Sequence, residues 1–375
     1  MIIAVSGGGI AGLAAALAGL RAGHDALLIG GQPTPAQLQG GVQIAPNGWA
    51  ALAALGLDDV LAPEATDLTE ITVRDLSSGA TLTRLPLDGP YASIRRATLA
   101  GALKTAVEGC PGLQCIAAQL AQLVQIGPEQ GGGVKLLLDT GQLVRADALI
   151  AADGIAGFGR RYVTSHQIDT AAGTSRVVMR SVLDASHRLP AFFSQPQSSL
   201  WLGDGVHVVH YPLDGGRLVN MVVTLDETAA GTGWQARVLH PHEVLSELAN
   251  RSDIRWARTR LPNEDFKFCW RRGRVVLAGD AAHPMPPNLA QGAGQSLVDA
   301  ACLLRWLGDG AGVDAALSGY VRERAGAVGQ VFNKARTSSR IMAMGGVAAK
   351  MRNMALGIGG DQLLGNWLGN VWNVR

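Results

Sequence analysis

The sequence predicts an α/β fold in which a discontinuous nucleotide-binding domain is interrupted by an antiparallel, β-rich domain. Three observations carry that expectation. The chain opens on a short apolar run, a glycine turn and an alanine- and leucine-rich stretch, the pattern of strand, turn and helix. From about Val177 to Leu225, runs of strand-forming residues separated by glycine and aspartate turns dominate. A buried-type strand, Val275–Ala278, then returns, and helices follow from about Ala293 to the C-terminus.

Met1–Val5 is apolar with isoleucine and valine, as a parallel strand covered on both faces would be. Ser6-Gly7-Gly8-Gly9-Ile10-Ala11-Gly12 follows, then helix formers from Leu13 to Ala22, closed by Gly23. Ala26–Ile29 is the second buried strand of a βαβ unit. Residues 33–70 read as loop and short helix, Pro46-Asn47-Gly48 opening the helix of Trp49, Leu52 and Leu55. Ile71–Arg84 alternates as a strand pair turning at Ser77-Ser78-Gly79, and Thr98–Val107 is helical. Leu120–Ile126, Val134–Leu138 and Leu143–Arg145 read as a meander, and Ala148–Ala151 as another buried strand. In the β-rich stretch the strands are Val177–Met179, Leu200–Leu202, Val206–Tyr211 and Leu218–Val223. Gly203-Asp204-Gly205 and Asp214-Gly215-Gly216 make the turns.

Composition removes several function classes. At 375 residues, 47% hydrophobic and 17% charged, the chain can bury a sizeable core and is too apolar for disorder. Thirty-two basic against 30 acidic residues leave no basic footprint for nucleic acid. Cys110, Cys115, Cys269 and Cys302 form no CxxC pair and cluster with no histidine, so neither a metal site nor a disulfide framework is expected. Burial is the expected state of each, in a reducing, cytoplasmic setting. Ile2–Leu20 carries no charge, but five glycines and a serine break it and no basic segment precedes it, so it is neither anchor nor signal peptide. A soluble protein is expected, with peripheral membrane contact left open, as monomer or homodimer. No Ser–His–Asp ordering, P-loop or HExxH supports a hydrolase or kinase.

The sharpest local signal is Gly7-x-Gly9-x-x-Gly12 between strand and helix. The first glycine permits a tight turn, the second lets backbone approach a pyrophosphate, and the third lets helix and strand pack closely. The helix N-terminus then offers free N–H groups and partial positive charge to phosphates. One expected part is missing. The second strand ends Ile29-Gly30-Gly31-Gln32, without the carboxylate that usually holds the adenosine ribose. Gln32 or backbone groups are expected to take its place, or the ribose to be held loosely, and Gly30→Glu to raise affinity if the glycine merely omits a hydrogen bond.

Far downstream, Arg274-Val275-Val276-Leu277-Ala278-Gly279-Asp280-Ala281-Ala282-His283-Pro284-Met285-Pro286-Pro287-Asn288-Leu289-Ala290-Gln291-Gly292-Ala293-Gly294 delivers an aspartate at a strand end, a proline-stiffened loop and a glycine-flanked helix start. This stretch resembles the GDAAH motif of the FAD-dependent aromatic hydroxylases, the class A flavoprotein monooxygenases. Ala152-Asp153-Gly154-Ile155-Ala156-Gly157-Phe158-Gly159-Arg160 resembles the DG motif of the same family. Three motifs in order span residues 7–294, most of the chain.

The resemblance implies a Rossmann-like FAD-binding domain with an inserted β-sheet substrate domain. The FAD-binding parts would be 1–70, 95–160 and 265–340, the substrate domain 71–94 and 161–264, with a helical tail at 341–375. Gly7, Gly9, Ile10, Ala11 and Gly12 would receive the FAD pyrophosphate, and Asp280, after Gly279, a ribityl hydroxyl. Arg96 matches the family arginine opening the helix beside the cofactor. Asp153 and Gly154 match the motif near the pyrophosphate and the nicotinamide nucleotide. Pro287 would line the cavity where flavin and substrate meet, and Gln291, Gly292, Ala293 and Gly294 would face the flavin pyrimidine edge. Two departures stand out: Gly157 replaces the usual serine, and Val298, beside Asp299, replaces a usual acid.

The implied reaction is monooxygenation of an aromatic or heteroaromatic small molecule with O2. NADH or NADPH, bound transiently, reduces FAD, and a flavin C4a-hydroperoxide transfers oxygen. The alternatives are a flavin oxidoreductase of the same fold without oxygen insertion, and a flavin-binding accessory protein. On the substrate side, Trp201–Pro212 resembles the family strand that walls the active site. Alternation puts His207, Val209 and Tyr211 on one face and Val208 and His210 on the other. Either histidine can orient or deprotonate a phenol-like ring, and Gln43 is a candidate substrate contact. His283 reads as part of the loop's hydrogen bonding. In the tail, Met351, Met354 and Ile358, and then Leu364, Trp367, Leu368, Val371 and Trp372, fall at helical spacing. They either pack over the substrate domain, or line a way into the active site or rest on a membrane.

Overall fold

Short runs of aliphatic residues, too apolar to face water, line up as the central sheet of a computed structural model that describes residues 1–30, 38–165, 176–185, 189–239, 242–249, 251, 253–261 and 266–373. In spatial order this sheet contains Arg271–Arg272 (β18), Val275–Leu277 (β19), Ala148–Ala151 (β12), Ile2–Ser6 (β1), Asp25–Ile29 (β2) and Leu113–Ile116 (β8). All pair in parallel except the edge strand β18. Ile3, Val5, Leu149, Val275 and Val276 are fully buried; the helix Ile10–Arg21 packs on β1 and β12, and the helix Phe158–Thr164 on β12 and β19. Strand β8 escapes the sequence reading because it lies at the sheet edge, with Gln114 and Cys115 exposed. Leu120–Gln125 (β9), Val134–Leu138 (β10) and Leu143–Ala146 (β11) form the expected meander.

A second, seven-stranded sheet runs Ala257–Arg260 (β17), Arg176–Asp184 (β13), Leu218–Asp226 (β16), His207–Leu213 (β15), Gln197–Leu202 (β14), Glu70–Asp75 (β5) and Thr81–Pro86 (β6). Only β14 and β5 pair in parallel. Both faces are covered. One carries Trp201, Val208, Met221 and Val223 against Phe193 and the helices Trp234–Leu239 and Glu243–Ala249. The other turns Ile71 and Leu85 toward Leu289, Val331, Leu368 and Val371, and Tyr211 toward Tyr91 and Leu213. Between the sheets lies a ribbon of Gly41–Ile44 (β3), Ala92–Arg95 (β7) and Thr66–Asp67 (β4), ordered β3–β7–β4. Two of these strands lie where loop and short helix were expected. Their partner β7 is distant in sequence, so no local pattern announces them.

The helix Gly346–Trp372 is broken at Gly359 (φ −158, ψ 30). After the break Leu368 and Val371 are buried; before it Val347, Met351, Met354 and Ile358 are exposed. Arg352 holds the helix start, donating to the carbonyls of Ile341, Met342 and Gly203. Among the described residues no helix is long and apolar enough to cross a membrane. The expected burial of every cysteine is corrected: Cys302 is buried and Cys110 partly so, but Cys115 and Cys269 are exposed, the first on an edge strand.

Candidate nucleotide and ring-binding site

The carboxyl ends of β1, β12 and β19 converge on one point, the usual ligand position of an open α/β sheet. There Gly7 adopts φ +109, and a Cβ on it would lie 2.3 Å from the Ala152 carbonyl oxygen. At Gly12 a Cβ would lie 1.8 Å from the Gly7 oxygen, whereas at exposed Gly9 it would meet nothing within 4 Å. The first and third glycines are therefore needed by the protein itself. The second leaves open the space before the N-terminus of the helix Ile10–Arg21, whose first turn holds no acid. Gly9→Ala is accordingly expected to leave stability within about 0.5 kcal/mol while weakening FAD binding by about 100-fold or more. Gly12→Ala is expected to destabilise the apoprotein itself. Thermal unfolding and flavin-fluorescence titration separate the two; equal effects on both readouts would contradict this division.

Gly30 has φ +147, and its Cβ would stand 3.3 Å from the Gly7 and Gly8 nitrogens. The glycine is a backbone requirement, not an omitted carboxylate. Gly30→Glu is thus expected to lower flavin affinity, by about tenfold for a strained turn, and tighter binding in a titration would refute this. Gln32, the suggested substitute, lies outside the described residues.

Asp153 is desolvated, which pushes its carboxyl above the ordinary range, and it accepts from the Gly159 N–H at 2.9 Å. It thereby caps the helix Phe158–Thr164 in place of the N-cap residue Gly157. A Cβ on Gly157 would lie 2.1 Å from Asp153 Oδ1, so the glycine is what lets this carboxylate turn inward. Gly154 takes φ +80 beside it. Buried Arg160 then donates through Nη1 to the Ala281 (2.7 Å) and Ala282 (3.3 Å) carbonyls, tying this segment to the downstream loop.

That loop begins at Gly279 (φ +58), where a Cβ would lie 2.4 Å from the Ala11 Cβ; the two motifs touch. Asp280 follows, exposed. Beneath it Asp299 is completely enclosed. Its Oδ2 accepts from the Gly279 N–H (3.0 Å) and meets His283 Nε2 (2.7 Å), and its Oδ1 accepts from Arg324 Nε (2.8 Å). Burial pushes this carboxyl up, but His283 and Arg324 outweigh it and hold Asp299 below the usual carboxylate range. The acid thought to be lost at Val298 is present one residue later, facing inward. His283 is a structural partner, as its sequence context suggests. Gln291 caps the approach to the helix Gly292–Gly308, its Oε1 accepting from Asn47 Nδ2 (2.9 Å) and Gln295 Nε2 (3.0 Å). Gly292 and Ala293 stay partly exposed, and Gly294 lies against Gly48.

The wall opposite this loop is the second sheet. His207 Nε2 meets Asn288 Nδ2 at 3.3 Å, beside Pro287, so this face and the loop are in contact. Burial, with Arg176 and Arg352 nearby, pushes the His207 imidazole down to about 3. His210 does not join it. The strand's period of two turns it to the other face, among Phe192, Phe193 and Trp201, where burial holds it at about 3. Tyr211 shares the His207 face, buried, with its hydroxyl pushed up by desolvation. Gln43 is buried and accepts from Tyr91 Oη (2.9 Å), while the Tyr91 ring lies 5.4 Å from Trp372. Arg96 opens its helix with Nε buried and without a hydrogen-bond partner.

Both histidines titrate near 6.5 when unfolded, so the unfolded chain takes up their protons first. Stability is expected to be full above about pH 6.5 and to fall as pH drops toward 3, by about 1.4 kcal/mol per unit for each histidine. Urea unfolding at about pH 7.5 and about pH 5 checks this, with His210→Phe flattening part of the slope.

Sequence reasoning passed over Arg160, Asp299, Arg324, Asn47 and Asn288. Arg160 and Asn288 stood inside quoted motifs, Asn47 in the helix opening Pro46-Asn47-Gly48, and Asp299 beside a noted departure; Arg324 carried no local signal.

Parallel strands presenting a glycine cradle at their carboxyl ends, with a second sheet reaching the adjoining loop through His207 and Asn288, define a dinucleotide-binding α/β fold. Residues 1–335 match the FAD binding domain family, and the chain belongs to it. It is similar to 3-hydroxybenzoate 6-hydroxylase 1 of Aquipseudomonas alcaligenes, 31% identical over 373 residues covering 95% of this chain and 93% of that protein. It is likewise similar to 3-amino-4-hydroxybenzoate 2-monooxygenase of Streptomyces cremeus, 33% identical over 80% of this chain and 77% of that one. The fold is shared with Klebsiella pneumoniae HpxO complexed with FAD and uric acid, at a TM-score of 0.86 and 21% identity, covering 99% and 96% of the two chains. The protein is an FAD-dependent monooxygenase of the aromatic-hydroxylase type. Its residues fit that cofactor, because the space beyond Gly9 and the unpartnered Arg96 Nε are what a pyrophosphate would fill and neutralise.

Proposed function

We propose that this chain hydroxylates a phenol-type ring held between the His207–Tyr211 face and the Pro286–Asn288 loop, with NADH or NADPH as a transient reductant. The observation that carries the reading is the His207–Asn288 contact, which joins the sheet face to the loop leading into the flavin-side helix. FAD, when bound, supplies reduction by the nicotinamide nucleotide, activation of O2 and delivery of one oxygen atom. Gly7, Gly9, Ile10, Ala11 and Gly12, with Asp153, Gly154, Gly279, Asp280 and Arg96, would hold it. The Gln291–Gly294 helix start would place N–H groups toward a flavin made anionic by reduction.

His207 serves as an orienting group rather than a base. Its Nε2 faces the Asn288 amide N–H, so the proton sits on Nδ1, which is buried and without a partner. That N–H is available to a ring oxygen, and an imidazole pushed down to about 3 takes up little proton near neutrality. Tyr211, Gln43 and Pro287 complete the wall, and His210 has no part in it.

The test is oxidation of NADH and NADPH by the FAD-loaded enzyme with 3-hydroxybenzoate, 6-hydroxynicotinate and simple phenols, followed by mass spectrometry. Stimulated oxidation with a product one oxygen atom heavier is expected. Stimulation yielding only hydrogen peroxide, or none with any ring, would favour an oxidoreductase without oxygen insertion or a non-catalytic flavoprotein.

A further inference from the structure

The buried cations of this chain are almost all satisfied. Arg324 meets Asp299, Arg160 meets two loop carbonyls, Arg176 donates to the Gly205 and Thr224 carbonyls, and Arg352 donates to three carbonyls. Arg180 is different. It stands in the middle of β13, largely enclosed, and among the described residues no carboxylate, carbonyl or ring is recorded against it.

Its direction follows from the sheet register. Arg180 is opposite Val222, which is opposite Val209, so it shares the face of His207 and Tyr211. Its charged and polar neighbours are the Arg96 guanidinium and the Tyr211 hydroxyl. The nearby acceptor Asn220 Oδ1 accepts from the Gly41 N–H at 2.8 Å, and no bond to it from Arg180 is recorded. Two neighbouring guanidinium groups with no acid recorded against Arg180 among the described residues are costly unless an anion enters between them. A desolvated guanidinium is also the group best matched to a carboxylate, which it grips with two parallel hydrogen bonds.

We propose that Arg180 receives a carboxylate on the aromatic substrate, making it the residue that selects ring acids over their neutral analogues. The proposal rests on the ring-binding reading of this sheet face. It assigns Arg96 to the cofactor and its neighbour Arg180, on the His207 and Tyr211 face of β13 and β15, to the substrate.

The experiment titrates FAD-loaded wild type, Arg180→Met and Arg180→Lys with 3-hydroxybenzoate and 3-hydroxybenzamide, which differ in charge but hardly in shape. Flavin fluorescence gives the binding constants, KM and kcat follow from reductant oxidation, and FAD affinity is measured separately. Wild type is expected to prefer the acid by about 30-fold or more. Arg180→Met should erase that preference through KM rather than kcat, leave the amide within about threefold and leave FAD affinity unchanged; Arg180→Lys should restore part of it. Loss of FAD affinity in both variants would assign the cation to the cofactor's phosphates and overturn the proposal. Equal weakening of acid and amide, or a wild type that binds neither or does not distinguish them, would overturn it as well. Hydroxylation of neutral phenols by a wild type indifferent to the carboxylate would leave the proposed function standing while removing this inference.

Discussion

Asp299→Ala is expected to destabilise the protein by about 3–5 kcal/mol, because it leaves the Arg324 guanidinium buried without its counter-charge. The same change frees the Gly279 N–H and His283, so the loop that presents Asp280 loses its floor. FAD content should therefore fall together with the unfolding temperature. Since Asp299 is held below the ordinary carboxylate range when folded, its contribution is present above about pH 4, the unfolded value, and is lost as pH falls through the lower folded value. The control is the double variant Asp299→Leu/Arg324→Met. Replacing the pair with apolar groups of similar size should recover much of the stability, since breaking a buried pair costs more than deleting it. A single variant within about 1 kcal/mol of wild type by urea unfolding would refute the account.

Truncation after Arg340 is expected to be still more damaging. It uncovers Leu289, Val331 and Ala335, and it removes Leu368 and Val371, each worth about 1.5–3 kcal/mol when fully buried. Trp372, 5.4 Å from Tyr91, goes with them. The truncated chain should be insoluble or melt far lower than wild type. A soluble, FAD-loaded truncation with only a raised KM for an apolar substrate would instead make the tail a substrate-access element. The exposed stripe at Val347, Met351, Met354 and Ile358 predicts a subtler result for polar replacements there: unchanged melting, since those side chains are exposed and no residue among those described covers them.

Local order along the chain was sufficient for the nucleotide cradle, because its chemistry is written in backbone conformation. Gly7 and Gly12 have no room for a side chain and Gly279 takes positive φ, and such needs select glycine at definite spacings. Likewise, period-two alternation placed His207 and Tyr211 on one face of β15 and His210 on the other, before any contact was known. What adjacency cannot express is which distant group completes a charge or covers a face. Asp299 became the acid of the loop only because the helix Gly292–Gly308 turns it, and not Val298, toward His283 and Arg324. Gly30 read as a missing carboxylate until its φ of +147 and the nearness of Gly7 made it a steric requirement. Arg180, one residue beyond the expected strand Val177–Met179, carried no signal until the folded sheet enclosed it beside Arg96, with no acid recorded against it among the described residues. By itself the sequence determined the fold class, the glycine turn after β1 and the strand faces, since these depend on periodicity and backbone freedom between near neighbours. Tertiary structure alone decided which buried charges are paired and which stand without a counter-charge, because the energy of a charge depends on every group around it and on how much water the fold excludes.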